Sequence, residues 1–124
     1  MTATSDSVSG TELHQAAAEH LLAAYASGKP VAPVVEEFPQ ATITDAYRIQ
    51  QVQVARWATD GDGVRGHKVG LASAAMQRQA GVDQPDYGHL TGSMFFLEHE
   101  PIAAGTFLQP VSYTHLTLPT ILRV

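Results

Sequence analysis

The 124-residue sequence contains no cysteine, which excludes disulfide staples, thiolate metal sites and the small secreted scaffolds that depend on them. Basic residues are scarce. Seven Lys and Arg against twelve Asp and Glu leave a formal net charge of −5, so no basic patch is available to a nucleic-acid backbone. No apolar run approaches the length needed to span a bilayer. The opening MTATSDSVSG carries one charge, Asp6, and lacks the basic and then apolar regions of a secretory signal. These absences predict a soluble cytoplasmic protein with neither nucleic acid nor membrane as a partner, in a chain long enough for one ordinary domain.

The chain opens on a stretch, residues 1–10, expected to be a disordered tail. Ser9 followed by Glu12 fits a capping box, and a helix should follow. Leu13, Ala17, Leu21 and Ala24 recur at helical spacing, with Ala16 and Tyr25 widening the stripe. Gly28 offers a left-handed C-cap and Pro30 forbids continuation. This reads as a core-facing helix in which His14 and His20 have no role. KPVAPVVEEFPQ, with Pro30, Pro33 and Pro39, predicts an extended connector. A second helix is expected in TITDAYRIQQVQVARWA, capped by Thr42 with Asp45, or by Thr44 alone. Ile43, Tyr47, Val54, Trp57 and Ala58 mark one side of it, interrupted by Gln50 and Gln51. DGDG, Asp60 to Gly63, lacks the spacing and distal Glu of a calcium loop and reads as a plain turn.

VRGHKVGL, Val64 to Leu71, reads as a strand with Val64, Gly66, Lys68 and Gly70 on one face. A lysine with a glycine two residues to either side leaves room for a small molecule to approach the backbone and meet the ammonium. The plainer alternative is an exposed lysine that protects an edge strand from aggregation. Ser73 can cap a short helix, AAMQRQA, which Gly81 ends, and VDQPDYGHL reads as a loop in which Asp86 is placed for catalysis. Asp and Pro are also ordinary turn residues. SMFFLEHEPIAAGTFLQP predicts a short strand, a turn and the approach to another strand. His67, His89, His99 and His115 share no metal-ligand spacing.

Taken in order, GKPVAP, DAYRIQQVQ, GHKVGLASAAMQRQAGVDQPDYGHLTGSMFF and the LQP at Leu108 to Pro110 resemble the N-terminal part of the 2-keto-4-pentenoate hydratase family, within the fumarylacetoacetate hydrolase superfamily. The resemblance covers residues 11–110. It implies an α+β fold in which N-terminal helices precede the first strands of a mixed β fold. It also implies a lyase of aromatic catabolism that hydrates 2-hydroxypenta-2,4-dienoate to 4-hydroxy-2-oxopentanoate, with Mg²⁺ or Mn²⁺ as cofactor, in a homo-oligomer. The lysine of the family's GxKVGL motif and the aspartate of its QPD[YF]G motif match Lys68 and Asp86. The resemblance assigns Lys68 to electrostatic stabilisation and proton handling at the oxyanion, and Asp86 to positioning or activating the water.

The pattern breaks after Pro110. The family's LQP runs into a strand of the form RxExE whose glutamates bind the metal, whereas VSYTHLTLPTILRV, residues 111–124, holds no Asp or Glu. No metal ligands are therefore assigned within this sequence. VSYTHLTLPT resembles the conceptual translation of a transposon-type sequencing adapter, so residues 111–124 are expected to be non-native. The alternative is a genuine β-rich tail. The 124-residue chain, truncated before the metal-binding β-domain, is expected to be inactive. Two other functions stay open: a decarboxylase of the same family acting on 2-oxo-3-hexenedioate (4-oxalocrotonate), and a non-catalytic interaction subunit.

Overall fold

The structure is a computed structural model that describes residues 10–107. The expectations for the Ser9 cap, for the rest of the N-terminal tail and for Leu108 onward lie outside the described residues. The chain divides into two units at the Gly61–Asp62 boundary.

In the first unit, α1 spans Gly10–Ser27, α2 is a single turn at Val34–Glu37, and α3 spans Ile43–Thr59. Helix α1 follows its predicted stripe at Leu13 and Ala17 and ends at Gly28, whose φ of 64° is the left-handed conformation that glycine tolerates. Leu13, Ala17, Ala18 and Ile49 form the buried cluster, with Leu21, Val34, Phe38 and Val52 packed against it. Side chains pair in the same order along both long helices: His14 with Asp45, Glu19 with Arg56, Tyr25 with Trp57. The helices therefore run the same way. The connector must travel back along α1, a distance of about 27 Å at 1.5 Å per residue for its 18 residues.

That return corrects the extended connector. Val34–Glu37 is helical because Pro33 stands at its N-cap, where a missing N–H costs nothing, and Glu36 and Glu37 suit a helix N-terminus. His20 Nδ1 meets Glu37 Oε2 at 2.5 Å and ties this turn to α1, so His20 and His14 both have structural partners. The stripe on α3 is corrected as well. The buried residues are Ile49 and Gln53, while Ile43 is 58% exposed. The small Ala17 and Ala18 surface on α1 selects the side of α3 that also offers Asp45 and Arg56 for polar ties.

Thr42 caps α3 through a reciprocal box: its hydroxyl accepts from Asp45 N (3.2 Å) and its backbone N–H donates to Asp45 Oδ2 (2.8 Å). Hydrogen bonds from the Thr42 hydroxyl, from His14 and from the Thr42 backbone hold the Asp45 carboxyl well below the usual carboxylate range. A depressed carboxyl stabilises the fold above its unfolded pKa, about 3.9, and the contribution fades as pH falls toward the folded value. Thermal unfolding should therefore show Asp45→Asn less stable than wild type at pH 7, with the Tm gap narrowing below about pH 4. A gap independent of pH would refute the assignment.

The second unit is a hairpin with one helix in its connection. Strand β1, Val64–Gly70, is followed by α4, Ala74–Ala80, and by β2, Asp86–Thr91, which pairs antiparallel with β1. Ser73 caps α4 and Gly81, φ 73°, ends it, as its sequence predicts. A bulge between Val64 and Gly66 takes Val64 out of the alternation; from Gly66 onward the register is regular. Two expectations fail here. Asp86 begins a strand instead of lying in a loop, and residues 92–107 form a 3₁₀ turn, Gly92–Met94, and irregular chain with no strand. Pairing with β1 overrides the weak strand propensity of Asp and Gly in β2. Phe95, Phe96 and Leu97 have the opposite problem: they favour strands, but no described segment pairs with them, and all three are exposed.

Candidate active site

The register decides what each charged side chain faces. Lys68 stands opposite Gly88, and Asp86 opposite Gly70. Side chains alternate along a strand, so Gly66, Lys68 and Gly70 share a face with Leu90, Gly88 and Asp86. Lys68 and Asp86 are thus diagonal neighbours on one surface, separated by two residues that have no side chains. Lys68, Gly70, Asp86, Tyr87 and Gly88 line a cleft of about 240 Å³. Both charged residues are exposed, and no ion pair joins them among the described residues.

The expectation that glycines clear the surroundings of Lys68 is met unevenly. A Cβ at Gly88 would find nothing within 4 Å, so the approach from β2 is open. A Cβ at Gly66 would lie 3.3 Å from the Phe95 ring, so that side is walled by an aromatic. Gly70 is covered by the Asp86 carboxylate itself. The cleft therefore offers a cation and a carboxylate beside bare backbone, which suits a small anionic molecule with a polar group to be deprotonated or protonated.

Two features brace this surface. Leu71, directly after β1, has φ 50°, a left-handed conformation unusual for leucine, and its carbonyl accepts from Gln77 Nε2 of α4 at 2.8 Å. At the other end, Asp62 Oδ1 accepts from Ser93 N (2.8 Å) and Asp62 Oδ2 from Ser93 Oγ (2.6 Å), while Gly92 N donates to Gly63 O. Hydrogen bonds from the Ser93 hydroxyl, the Ser93 backbone and Thr91 hold the Asp62 carboxyl below its ordinary value. The DGDG turn thus clamps the end of the hairpin. Asp62→Ala should speed amide exchange at Ser93 more than about tenfold without altering exchange in α1 and α3, read by hydrogen–deuterium exchange.

On the opposite face His67 and His89 pair across the strands with ring centroids 5.0 Å apart. Among the described residues no group of three or more His, Asp or Glu side chains is placed to hold a metal ion. Asp86 is the one carboxylate among the described residues that line the cleft, so a divalent cation there would take its remaining oxygen ligands from water, substrate or further chain. Sequence reasoning named Lys68 and Asp86 but missed Gly88 and Phe95, because β2 was read as a loop; recognising the hairpin register exposes Gly88.

No helix among the described residues is long and apolar enough to cross a membrane. No family model matches the chain. It is 42% identical over 96 residues to 2-keto-4-pentenoate hydratase 2 of Dechloromonas aromatica strain RCB, covering 77% of this chain and 37% of that protein. It is 43% identical over 94 residues to the 2-keto-4-pentenoate hydratase of Paraburkholderia xenovorans strain LB400, covering 76% and 35%. Among solved structures it matches the 4-oxalocrotonate decarboxylase from Pseudomonas putida G7, a fumarylacetoacetate-hydrolase-superfamily enzyme, with a TM-score of 0.63 and 35% identity over 67% of this chain and 32% of that one. That enzyme was solved with calcium and acetate and with magnesium and adipate. The chain spans about a third of the length of the curated relatives it matches, and over that span it resembles the 2-keto-4-pentenoate hydratases.

Proposed function

We propose that residues 11–110 are part of a longer hydro-lyase that hydrates 2-hydroxypenta-2,4-dienoate to 4-hydroxy-2-oxopentanoate, and that Lys68 and Asp86 act in it. The observation that carries the reading is the shared cleft, in which the two residues stand diagonally with a glycine opposite each. Negative charge builds on the C2 oxygen as the dienol loses its proton, and the Lys68 ammonium, reached across open Gly88, stabilises it. Return of that proton to the far carbon, C5, gives the conjugated ketone; the Asp86 carboxylate then accepts a proton from the water whose oxygen adds at C4, and delivery of a proton to C3 completes the hydration. Mg²⁺ or Mn²⁺ belongs to the complete enzyme, with its ligands supplied from outside residues 10–107. The described chain alone is then inactive. Exposed Phe95, Leu97 and Ile102 support the same reading, since such a surface calls for cover by further chain. Residues 111–124 are, on this proposal, not encoded by the parent gene.

The test is to sequence the source locus across the Pro110–Val111 junction, express its full-length product and follow loss of the dienoate with and without a chelator. Chelator-sensitive hydration supports the proposal. A locus that encodes VSYTHLTLPTILRV and stops, or a full-length product that leaves the dienoate unchanged, overturns it. The match to 4-oxalocrotonate decarboxylase favours one second reading, release of CO₂ from 2-oxo-3-hexenedioate. Offering both substrates to the same preparation separates the two.

A further inference from the structure

The Asp86 carboxylate does not simply project from its strand; it lies across Gly70 on the neighbouring one. A Cβ at Gly70 would overlap Oδ1 of Asp86 and would come within 3.0 Å of its Cγ and 3.2 Å of its Oδ2. The whole carboxylate thus occupies the volume that any other residue at position 70 would fill. Backbone conformation does not demand glycine there, because Gly70 is not among the residues with positive φ. Helix capping and turn formation do not demand it either, since Gly70 is the last residue of β1 and pairs in register with Asp86. Gly88, opposite Lys68, provides the contrast: a Cβ there meets nothing within 4 Å.

We propose that Gly70 is a positioning residue for the reaction, the seat that holds the Asp86 carboxylate flat against β1 and toward the cleft shared with Lys68. The inference rests on the reading of Asp86 as the proton acceptor. Its physical content is that a short side chain has few rotamers, and the one seen here exists only because position 70 has no side chain. Alanine at 70 is compatible with the strand, so the clash is relieved at the movable end, by rotation of Asp86 out of its seat. Stability then changes little and geometry changes much. A displacement of about 1 Å at a reacting group can cost on the order of 10²-fold in rate.

The experiment places Gly70→Ala, Asp86→Ala and the double variant in the full-length product of the source locus. Gly70→Ala should lower kcat by about 10²-fold with little change in KM or Tm, and its crystal structure should show Asp86 in a different rotamer. In the Asp86→Ala background the same substitution should cost almost nothing, since the group it displaces is gone. A Gly70→Ala enzyme with wild-type kcat overturns the proposal, as does an equal loss in both backgrounds, which marks a merely structural glycine. An unmoved Asp86 rotamer also overturns it, and this readout needs no activity. A wild-type product inert toward the dienoate instead defeats the hydratase reading, and the rotamer separates that failure from a failure of the seat.

Discussion

Asp86→Asn in the full-length enzyme is expected to lower kcat by about 10²- to 10⁴-fold, the range lost when a positioned acid or base is removed. The amide has nearly the shape of the carboxylate, so it fits the space over Gly70 and leaves the hairpin register as it is. What disappears is the negative charge and the capacity to take up a proton. If Asp86 moves a proton only in the chemical steps, KM stays within a few-fold of wild type while kcat falls, the pattern of an interaction made in the transition state. Steady-state kinetics on the dienoate decide the matter. A loss below about threefold would remove Asp86 from the chemistry, because acid–base groups contribute far more than that. A rise in KM with unchanged kcat would make it a binding group.

How far the sequence revealed this arrangement depends on which interactions are local. The C-terminus of α1 at Gly28 and both ends of α4, at Ser73 and Gly81, were legible because capping is settled within a few residues of chain. The Thr42–Asp45 box was legible for the same reason as one of two local caps, Thr44 being the other, and the structure selects Thr42. The face of α3 was not. Its most apolar stripe, with Ile43 and Val54, stays partly exposed, because the partner helix presents Ala17 and Ala18 and holds α3 through His14 and Glu19, residues more than thirty positions away. Strand β2 failed likewise. Asp86, Gly88 and the preceding Pro85 read as a turn in isolation, and only the pairing with β1 makes them a strand. Of the candidate site, Lys68 stood out by its flanking glycines and Asp86 by its place beside Pro85, and the family resemblance gave both their roles, while the glycines facing them follow from register, which a linear reading of a presumed loop does not contain. The left-handed Leu71 had no signal at all, since leucine is not a residue that favours that conformation.

Lys68→Met should lower kcat/KM by about 10²- to 10³-fold, comparable to removing one donor from an oxyanion site. Methionine keeps an unbranched apolar stem of similar length, so the wall toward Phe95 and the open side at Gly88 persist while the ammonium is lost. The loss divides between the two kinetic constants in an informative way. A carboxylate already present in the substrate is held in the ground state, and losing that contact raises KM. Charge that develops on the C2 oxygen is held only as the reaction proceeds, and losing that contact lowers kcat. Because the assigned role is the second, kcat should carry most of the effect. Lys68→Arg tests the same point from the other side: the guanidinium preserves the charge but spreads it over a larger planar fork, so it should restore KM better than kcat. If Lys68→Met retains wild-type kcat and KM, the lysine is an edge-strand residue whose charge serves solubility, and the cleft it lines with Asp86 is not where the dienoate reacts.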